Sequence, residues 1–266
     1  MILVTGGNGL IGQDLLPLLV SEYGENKVIN ISRTPSNIPG VIDRVHDLTQ
    51  PIDDGLFELG WPITGIIHLA AAHNVFDSLK RPDYYYQLNI TTTTNILAYA
   101  VRHKVKFFIN ASTGMVYQSR LMDSGMAEES DLGPSNPYAR SKLICEGITS
   151  NICQTHKINH VNARIFNAVG TVSPADSVRN RFMIPNIINA IRSQTPFEVY
   201  KIATKKQNNS VTTIRDYIHT EDIANALVKL ANVMNVDFGN YITNHGFTFE
   251  RHAVNIGTGK GTSVLD

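Results

Sequence analysis

Met1-Ile2-Leu3-Val4-Thr5-Gly6-Gly7-Asn8-Gly9-Leu10-Ile11-Gly12 reads as a strand, a glycine loop and the start of a helix. Ile2 to Val4 form the apolar strand, and Leu10, Ile11, Leu15 and Leu16 follow at helical spacing. One glycine lets the backbone turn sharply out of the strand. Another removes a side chain so that a diphosphate can approach, and the last lets helix and strand pack closely. The freed N–H groups and the positive end of the helix then face an anion. A dinucleotide is the ligand this geometry suits best. Gly7, Gly9 and Gly12 fit the dinucleotide fingerprint literally, while Gly6, Gly9 and Gly12 fit a looser spacing. No Gly-Lys-Ser/Thr follows, which excludes a Walker-type phosphate loop.

The chain has 266 residues, enough for one large α/β domain or one domain with a small appendage. Lys+Arg and Asp+Glu both number 23, so no overall field attracts nucleic acid or an anionic membrane. No apolar run is long enough to span a bilayer. The N-terminus lacks a basic region ahead of an apolar stretch, so no signal peptide is read there. Cys145 and Cys153 fall on one expected helix. At helical rise they sit about 12 Å apart, too far for a disulfide. The expectation is a reduced, cytoplasmic protein. No Cys/His cluster has metal-ligand spacing, so no metal is expected.

Strand-like runs at 27–31, 65–70, 106–110 and 160–165 alternate with helical patterns near 10–22, 83–103 and 138–156. That alternation predicts an α/β fold, a doubly wound parallel Rossmann sheet with helices on both faces. Residues 1–166 are expected to form the NAD(P)-binding domain. Residues 167–266 are expected to form a small substrate-binding region interleaved with the last sheet strands. In this second part, 171–181 and 201–211 read as polar loops, 183–193 and 220–232 as helices, and 233–253 as a loop or short hairpin. Ligand clefts in doubly wound sheets open at the carboxyl ends of the strands, and the late region is placed to cover that cleft. Gly261 to Asp266 reads as a cap and the first residues of a helix, as in a chain that stops early.

Tyr138-Ala139-Arg140-Ser141-Lys142 places a phenol and an ammonium one helical turn apart on one face. A nearby cation stabilises phenolate, so Tyr138 is a candidate to move a proton near neutral pH. The plain alternative is a solvated helix face. Upstream, Phe107 to Asn110 lead into Ala111-Ser112-Thr113-Gly114-Met115-Val116-Tyr117, which puts hydroxyls at a strand's carboxyl end beside the expected cleft. Thr113 suits a hydrogen bond to a reacting hydroxyl or ketone; ordinary turn capping is the alternative.

Five further segments complete the pattern: His68-Leu69-Ala70-Ala71, Arg164-Ile165-Phe166-Asn167, Arg215-Asp216-Tyr217-Ile218-His219, Asn255-Ile256-Gly257-Thr258-Gly259, and the run to Leu265. Taken with the glycine loop, Ser112-Thr113, Val116-Tyr117 and Tyr138-x-x-x-Lys142, the chain resembles the extended short-chain dehydrogenase/reductases. Within these it resembles the NAD-dependent epimerase/dehydratase family over nearly its whole length, most of all the UDP-glucose 4-epimerase-like sugar-nucleotide enzymes. The first strand and helix also resemble the related threonine dehydrogenases.

The resemblance implies roles at matching positions. Tyr138 is implied as acid/base, Lys142 as the cation that lowers its pKa and binds the nicotinamide ribose, and Thr113 as the group that orients the reacting hydroxyl. Gly6, Gly9 and Gly12, with Leu10 and Ile11, are implied to hold the diphosphate. Asp47 and Leu48 are implied at adenine, and Leu69, Ala70, Ala71 and Asn89 beside the cofactor. Asn167 and Arg215 are implied at the nucleotide of a sugar nucleotide. A guanidinium suits diphosphate oxygens; a structural pair of Arg215 with Asp216 or Asp222 is the plain alternative. Paired helices near 83–103 and 138–156 imply a homodimer.

Two departures from the family pattern carry weight. Ser32 and Arg33 stand where an Asp or Glu normally accepts the adenosine ribose, which favours NADP over NAD. Gly114 and Met115 follow Thr113 where dehydratases carry an acidic pair, which argues against dehydration. The expected activity is NAD(P)-dependent epimerisation of a nucleotide sugar. Alternatives are an NADPH-dependent keto-sugar reductase, a threonine-type dehydrogenase and a non-catalytic NADP-binding protein.

Overall fold

The first strand finds partners on both sides, and the sheet grows outward from it. The computed structural model describes residues 1–57, 62–118, 125–170, 183–197, 202–203, 210–211, 213–236 and 252–263. β1 (Ile2–Thr5) leads through the glycine loop into α1 (Gly12–Tyr23), then β2 (Val28–Ser32) and β3 (Val41–Val45). β4 (Gly65–His68) precedes α2 (Val75–Lys80) and α3 (Pro82–Arg102); β5 (Phe107–Thr113) precedes α4 (Pro137–Thr155). β6 (Asn159–Ile165) runs into β7 (Asn167–Val169), followed by α5 (Met183–Ser193), β8 (Ile202–Ala203) and β9 (Ser210–Val211). β10 (Ile214–Arg215), β11 (Tyr217–His219), α6 (Thr220–Asn235), β12 (Ala253–Ile256) and β13 (Thr262–Ser263) follow.

Seven strands form one parallel sheet in the order β12-β6-β5-β4-β1-β2-β3. The order reverses direction between β1 and β4, the switch point where ligands of such sheets bind. Both faces are covered, so the strands read as apolar runs with alternate residues turned to opposite layers. Ile2 and Val4 pack with Leu15, Leu16 and Leu19 of α1 and Leu227 of α6. Leu3, Ile66 and Phe108 pack with Ile96 and Leu97 of α3 and Cys153 of α4.

The α/β architecture follows the sequence expectation, with local corrections. β3, α2 and β12 are additional elements. The expected polar loop 201–211 contains the antiparallel pair β8–β9. The expected helix start at 261–266 begins instead as β13, which pairs antiparallel with β10, while 264–266 lie outside the described residues. A few residues cannot hold a helix alone, and the edge of β10 offers hydrogen-bond partners. The 171–181 loop and most of the 233–253 loop lie outside the described residues. Cys145 and Cys153 are free, buried thiols. Among the described residues no helix is long and apolar enough to cross a membrane, and no group of three His, Cys, Asp or Glu residues is arranged to hold a metal ion.

Candidate active site

The carboxyl ends of β1, β4, β5 and β6 open into a cleft of about 1940 Å³. Gly6, Gly9, Leu10, Ile11 and Gly12 line one wall. Gly6 has φ +72°, and a Cβ there would lie 2.8 Å from the Ala70 backbone at the end of β4. A Cβ on Gly12 would lie 2.3 Å from the Gly7 carbonyl oxygen. Gly7 donates its N–H to Asn30 Oδ1 (3.1 Å) and is absent from the cleft lining. The cradle is therefore Gly6, Gly9 and Gly12. Among the described residues no protein acceptor takes the N–H of Leu10 or Ile11, which sit just before α1. Two unmet donors at a helix N-terminus fit a diphosphate.

The end of the cleft where adenine is expected is built by β2 and the turn after β3. Ser32, Arg33, Asp47 and Leu48 all line the cleft. Hydrogen bonds from Thr49 hold the Asp47 carboxyl below the usual carboxylate range, with a smaller effect of the Arg33 charge. Asn8 pins the following loop to the glycine loop: its amide donates to the Thr34 carbonyl at 2.8 Å, the Thr34 hydroxyl at 2.9 Å and the Pro35 carbonyl at 2.9 Å. Asn8 and Asn30 went unread in the sequence, because a lone amide, in a loop or inside a strand, has no pattern of its own.

Leu69, Ala70 and Ala71 line the wall beyond β4 as expected. Asn89 does not line the cleft. It is buried in α3, where its side chain accepts the Ala72 N–H (2.8 Å) and donates to the Ala72 carbonyl (3.1 Å) and to Ser141 Oγ (2.8 Å). Its amide is consumed in tying the loop after β4 to the first turns of α4, so it supports the site from beneath. A second tie runs through the buried His68. Thr93 donates to the Asn89 carbonyl, which leaves its oxygen to accept from His68 Nε2 at 3.2 Å. His68 Nδ1 then accepts from Thr5 Oγ1 at 2.7 Å, and Thr5 Oγ1 accepts the Ala70 N–H. Burial, helped by the Lys142 charge, pulls the His68 pKa down to about 3 and fixes the ring as neutral.

Asn136 caps α4 by accepting the Ala139 N–H at 2.9 Å, and Pro137 occupies the first turn. Tyr138 thereby lines the cleft half-buried, with Lys142 one turn along the helix and buried. Thr113 ends β5 on the same wall; its hydroxyl oxygen accepts the Met115 N–H at 3.3 Å and is hydrogen-bonded to Tyr138. With one acceptor role filled, the Thr113 proton is free to point at the phenol. The expected low phenol pKa is not found. Burial pushes Tyr138 up to about 12, opposed by the Thr113 hydrogen bond, and burial also lowers Lys142. Desolvation of the phenol outweighs the hydrogen bond from Thr113, and the expected cation, Lys142, is itself desolvated.

Asn167 and Arg215 line the far end of the cleft. The alternative pairing of Arg215 with Asp216 does not form. Asp216 accepts instead from the Thr258 N–H (2.9 Å), the Thr258 hydroxyl (2.6 Å) and the Gly259 N–H (2.8 Å). Asn167 grips the Asp216 carbonyl through both its backbone and its side-chain nitrogen, each at 3.0 Å. Among the described residues Arg215 meets only the Ile214 carbonyl, at 3.5 Å. Its guanidinium is exposed and available to a ligand.

Residues 2–244 match the NAD dependent epimerase/dehydratase family. The chain belongs to this family. Its sequence is 29% identical, over 100% of its length, to a UDP-glucose 4-epimerase of Dictyostelium discoideum, covering 78% of that protein. It is 29% identical, over 100% of its length, to a UDP-glucose 4-epimerase of Halalkalibacterium halodurans, covering 77% of that protein. In structure it is similar to a UDP-glucose 4-epimerase from Brucella ovis in complex with NAD: TM-score 0.78, 25% identity, 99% of this chain and 79% of the other. The family cofactor is a nicotinamide dinucleotide, and the cradle of Gly6, Gly9 and Gly12 fits one.

Proposed function

We propose that this family member epimerises a nucleotide sugar by removing and returning a hydride at one sugar carbon. The observation that carries this is one cleft that joins the glycine cradle, the Thr113–Tyr138–Lys142 group and an exposed Arg215. A single small ligand fills roughly 300–1,000 Å³, so about 1940 Å³ accommodates two ligands side by side. The named relatives are epimerases and lend no support to a reductase or a threonine-type dehydrogenase.

A bound dinucleotide supplies acceptance and return of the hydride. Tyr138, as phenolate, takes the proton from the sugar hydroxyl, and Thr113 holds that oxygen. Lys142 steadies the phenolate charge and holds a ribose hydroxyl. Epimerisation requires the ketone to turn over in place before the hydride returns to its other face. Asn167 and Arg215 keep the nucleotide anchored meanwhile, with the guanidinium on diphosphate oxygens. Gly114 and Met115 offer no carboxylate to expel water. Tyr138→Phe is expected to keep dinucleotide affinity and lose turnover by about 100- to 10,000-fold. Near-normal epimerisation by that variant would remove Tyr138 from its role.

The dinucleotide is proposed to be NADP rather than NAD. Ser32 and Arg33 offer a hydroxyl and a cation where a carboxylate would repel a 2′-phosphate, and Asn8 fixes the loop that carries them. Arg33→Asp is expected to turn a preference for NADPH into one for NADH; equal affinities in the parent protein would refute the proposal. Residues 1–166 serve as the cofactor half and 167–266 as the substrate half, with β12 crossing back to complete the sheet. The outward face of α4, where Ile144 is exposed, together with α3 is proposed to pair two copies in the cytoplasm. Ile144→Glu would then halve the mass seen by light scattering.

A further inference from the structure

Beneath Thr113 and Lys142 lies a buried ion pair that the reaction above does not use. Arg164 on β6 meets Glu146 on α4 through two bonds, Nε to Oε1 at 3.0 Å and Nη2 to Oε2 at 2.8 Å. Both side chains are almost fully buried, 1% exposed for Arg164 and 5% for Glu146. Ser112 adds a third bond, its hydroxyl donating to Glu146 Oε1 at 2.5 Å. Sheet register places Ser112 directly beside Arg164 and Thr113 beside Ile165, so Ser112 and Arg164 point together at α4. Lys142 and Glu146 lie one turn apart on the same inward face of that helix. The third guanidinium nitrogen donates to Tyr117 Oη (2.9 Å) and the Glu128 carbonyl (3.1 Å), and Tyr117 Oη donates to Asn255 Oδ1 at 2.6 Å.

A pair this buried is weak evidence for stability, because a well-packed apolar pair serves the fold as well or better. Its placement is what stands out. Glu146 takes a hydrogen bond from Ser112, the residue before Thr113, and stands one turn after Lys142 on α4, so it braces the two segments that carry the partners of Tyr138.

We propose that Glu146, clamped by Ser112 and Arg164, is a positioning residue that fixes the Thr113 hydroxyl and the Lys142 ammonium against Tyr138. The proposal rests on the epimerase reading above. The charged and titratable groups around it are Arg164 from β6, Lys142 and the Cys145 thiol from its own helix, and neutral His68 facing Lys142 from β4. Glu146 opposes the desolvation that pulls Lys142 down and so helps keep its ammonium charged.

Glu146→Gln keeps the shape and removes the charge. In the dinucleotide-loaded enzyme, kcat is expected to fall by about 10- to 100-fold, with KM for the nucleotide sugar and the dinucleotide dissociation constant within about twofold. The unbalanced Arg164 charge would move the kcat–pH profile to lower pH, and the Lys142 ε-carbon titration, followed by NMR in isotopically labelled protein, would move the same way. Glu146→Asp would restore both in large part. A folded Glu146→Gln enzyme with parental kcat overturns the proposal, as does a fall in kcat that tracks Tm while profile and titration stay put. Should Glu146→Gln not fold, Ser112→Ala decides: kcat reduced several-fold at parental Tm supports positioning, and unchanged kcat refutes it. Failure of the parent protein to epimerise any nucleotide sugar would fell the functional reading alone, since the Lys142 titration needs no substrate.

Discussion

At the scale of single residues, Tyr138 joins the right place to the wrong pKa. Its phenol, pushed up to about 12 by burial, is protonated near neutral pH. An oxidised nicotinamide brings a positive charge into the same low-dielectric cleft, and a reduced one does not. Adding oxidised dinucleotide should therefore lower the Tyr138 titration, seen as a tyrosinate absorbance difference absent from Tyr138→Phe; reduced dinucleotide should lower it far less. Turnover should then rise with pH through the lowered value. A titration indifferent to the redox state of the cofactor would show that the charge comes from elsewhere. Arg215 makes the complementary prediction. Loss of a charged hydrogen-bonding partner costs roughly 1.5–3 kcal/mol, so Arg215→Ala should raise KM for the sugar nucleotide by about 10- to 100-fold and leave dinucleotide affinity alone. Unchanged activity would return the substrate to one without a diphosphate.

Among the elements, β12 is one edge of the sheet, held to β6 on one side only, as β3 is held to β2 at the other. Its approach is marked by His252, whose ring stacks on His160 of β6 with centroids 4.3 Å apart. His160 is buried; Nδ1 meets the Ile158 carbonyl at 3.3 Å, and among the described residues Nε2 has no partner. Burial, reinforced by His252, pulls the His160 pKa down to about 4, and burial lowers His252 as well. Both rings are thus neutral in the fold but protonate more readily when unfolded, near pH 6.5. The sign follows: this contribution to stability is complete above pH 6.5 and is lost as pH falls from there towards 4. His160→Phe keeps a stacked ring without the titration, so its Tm should fall less than the parent's between pH 7 and 5. Equal slopes would place the acid sensitivity elsewhere. β12 also shows where sequence reading ends. β1, β2, β4, β5 and β6 announce themselves as apolar runs between helices, but β12 follows a long polar stretch and is only four residues long. Its strand state comes from β6, a partner remote in sequence, and local propensity cannot supply that.

For the whole molecule, the distinction between legible and hidden residues has a physical basis. Gly6, Tyr138, Lys142, Thr113 and Arg215 line the cleft, and their chemistry at fixed spacings shows in the sequence. Asn30, Asn89, Glu146 and Arg164 face other protein atoms, and only the assembled layers reveal what they hold. Asn89 is the case where the two were confused, a polar residue near the cleft whose bonds all point inward. The cleft itself divides the molecule, with the cradle between β1 and α1 on one side and Tyr138, Thr113 and Arg215 on the other. A dinucleotide lying across it would tie the two sides together and bind the folded state only. At a ligand concentration about 100 times the dissociation constant, such linkage stabilises by about 2.7 kcal/mol, which in a chain of this size raises Tm by several degrees. Gly9→Ala isolates that effect. Its Cβ would lie 3.1 Å from the Gly6 carbonyl oxygen, a contact that a slight shift relieves, and it would stand in the cradle where a diphosphate approaches. The variant without ligand should melt close to the parent, and saturating dinucleotide should raise its Tm little or not at all. A full ligand-induced rise in Gly9→Ala would mean that the dinucleotide does not use this loop, and the reading that begins with Gly6, Gly9 and Gly12 would fail at its first step.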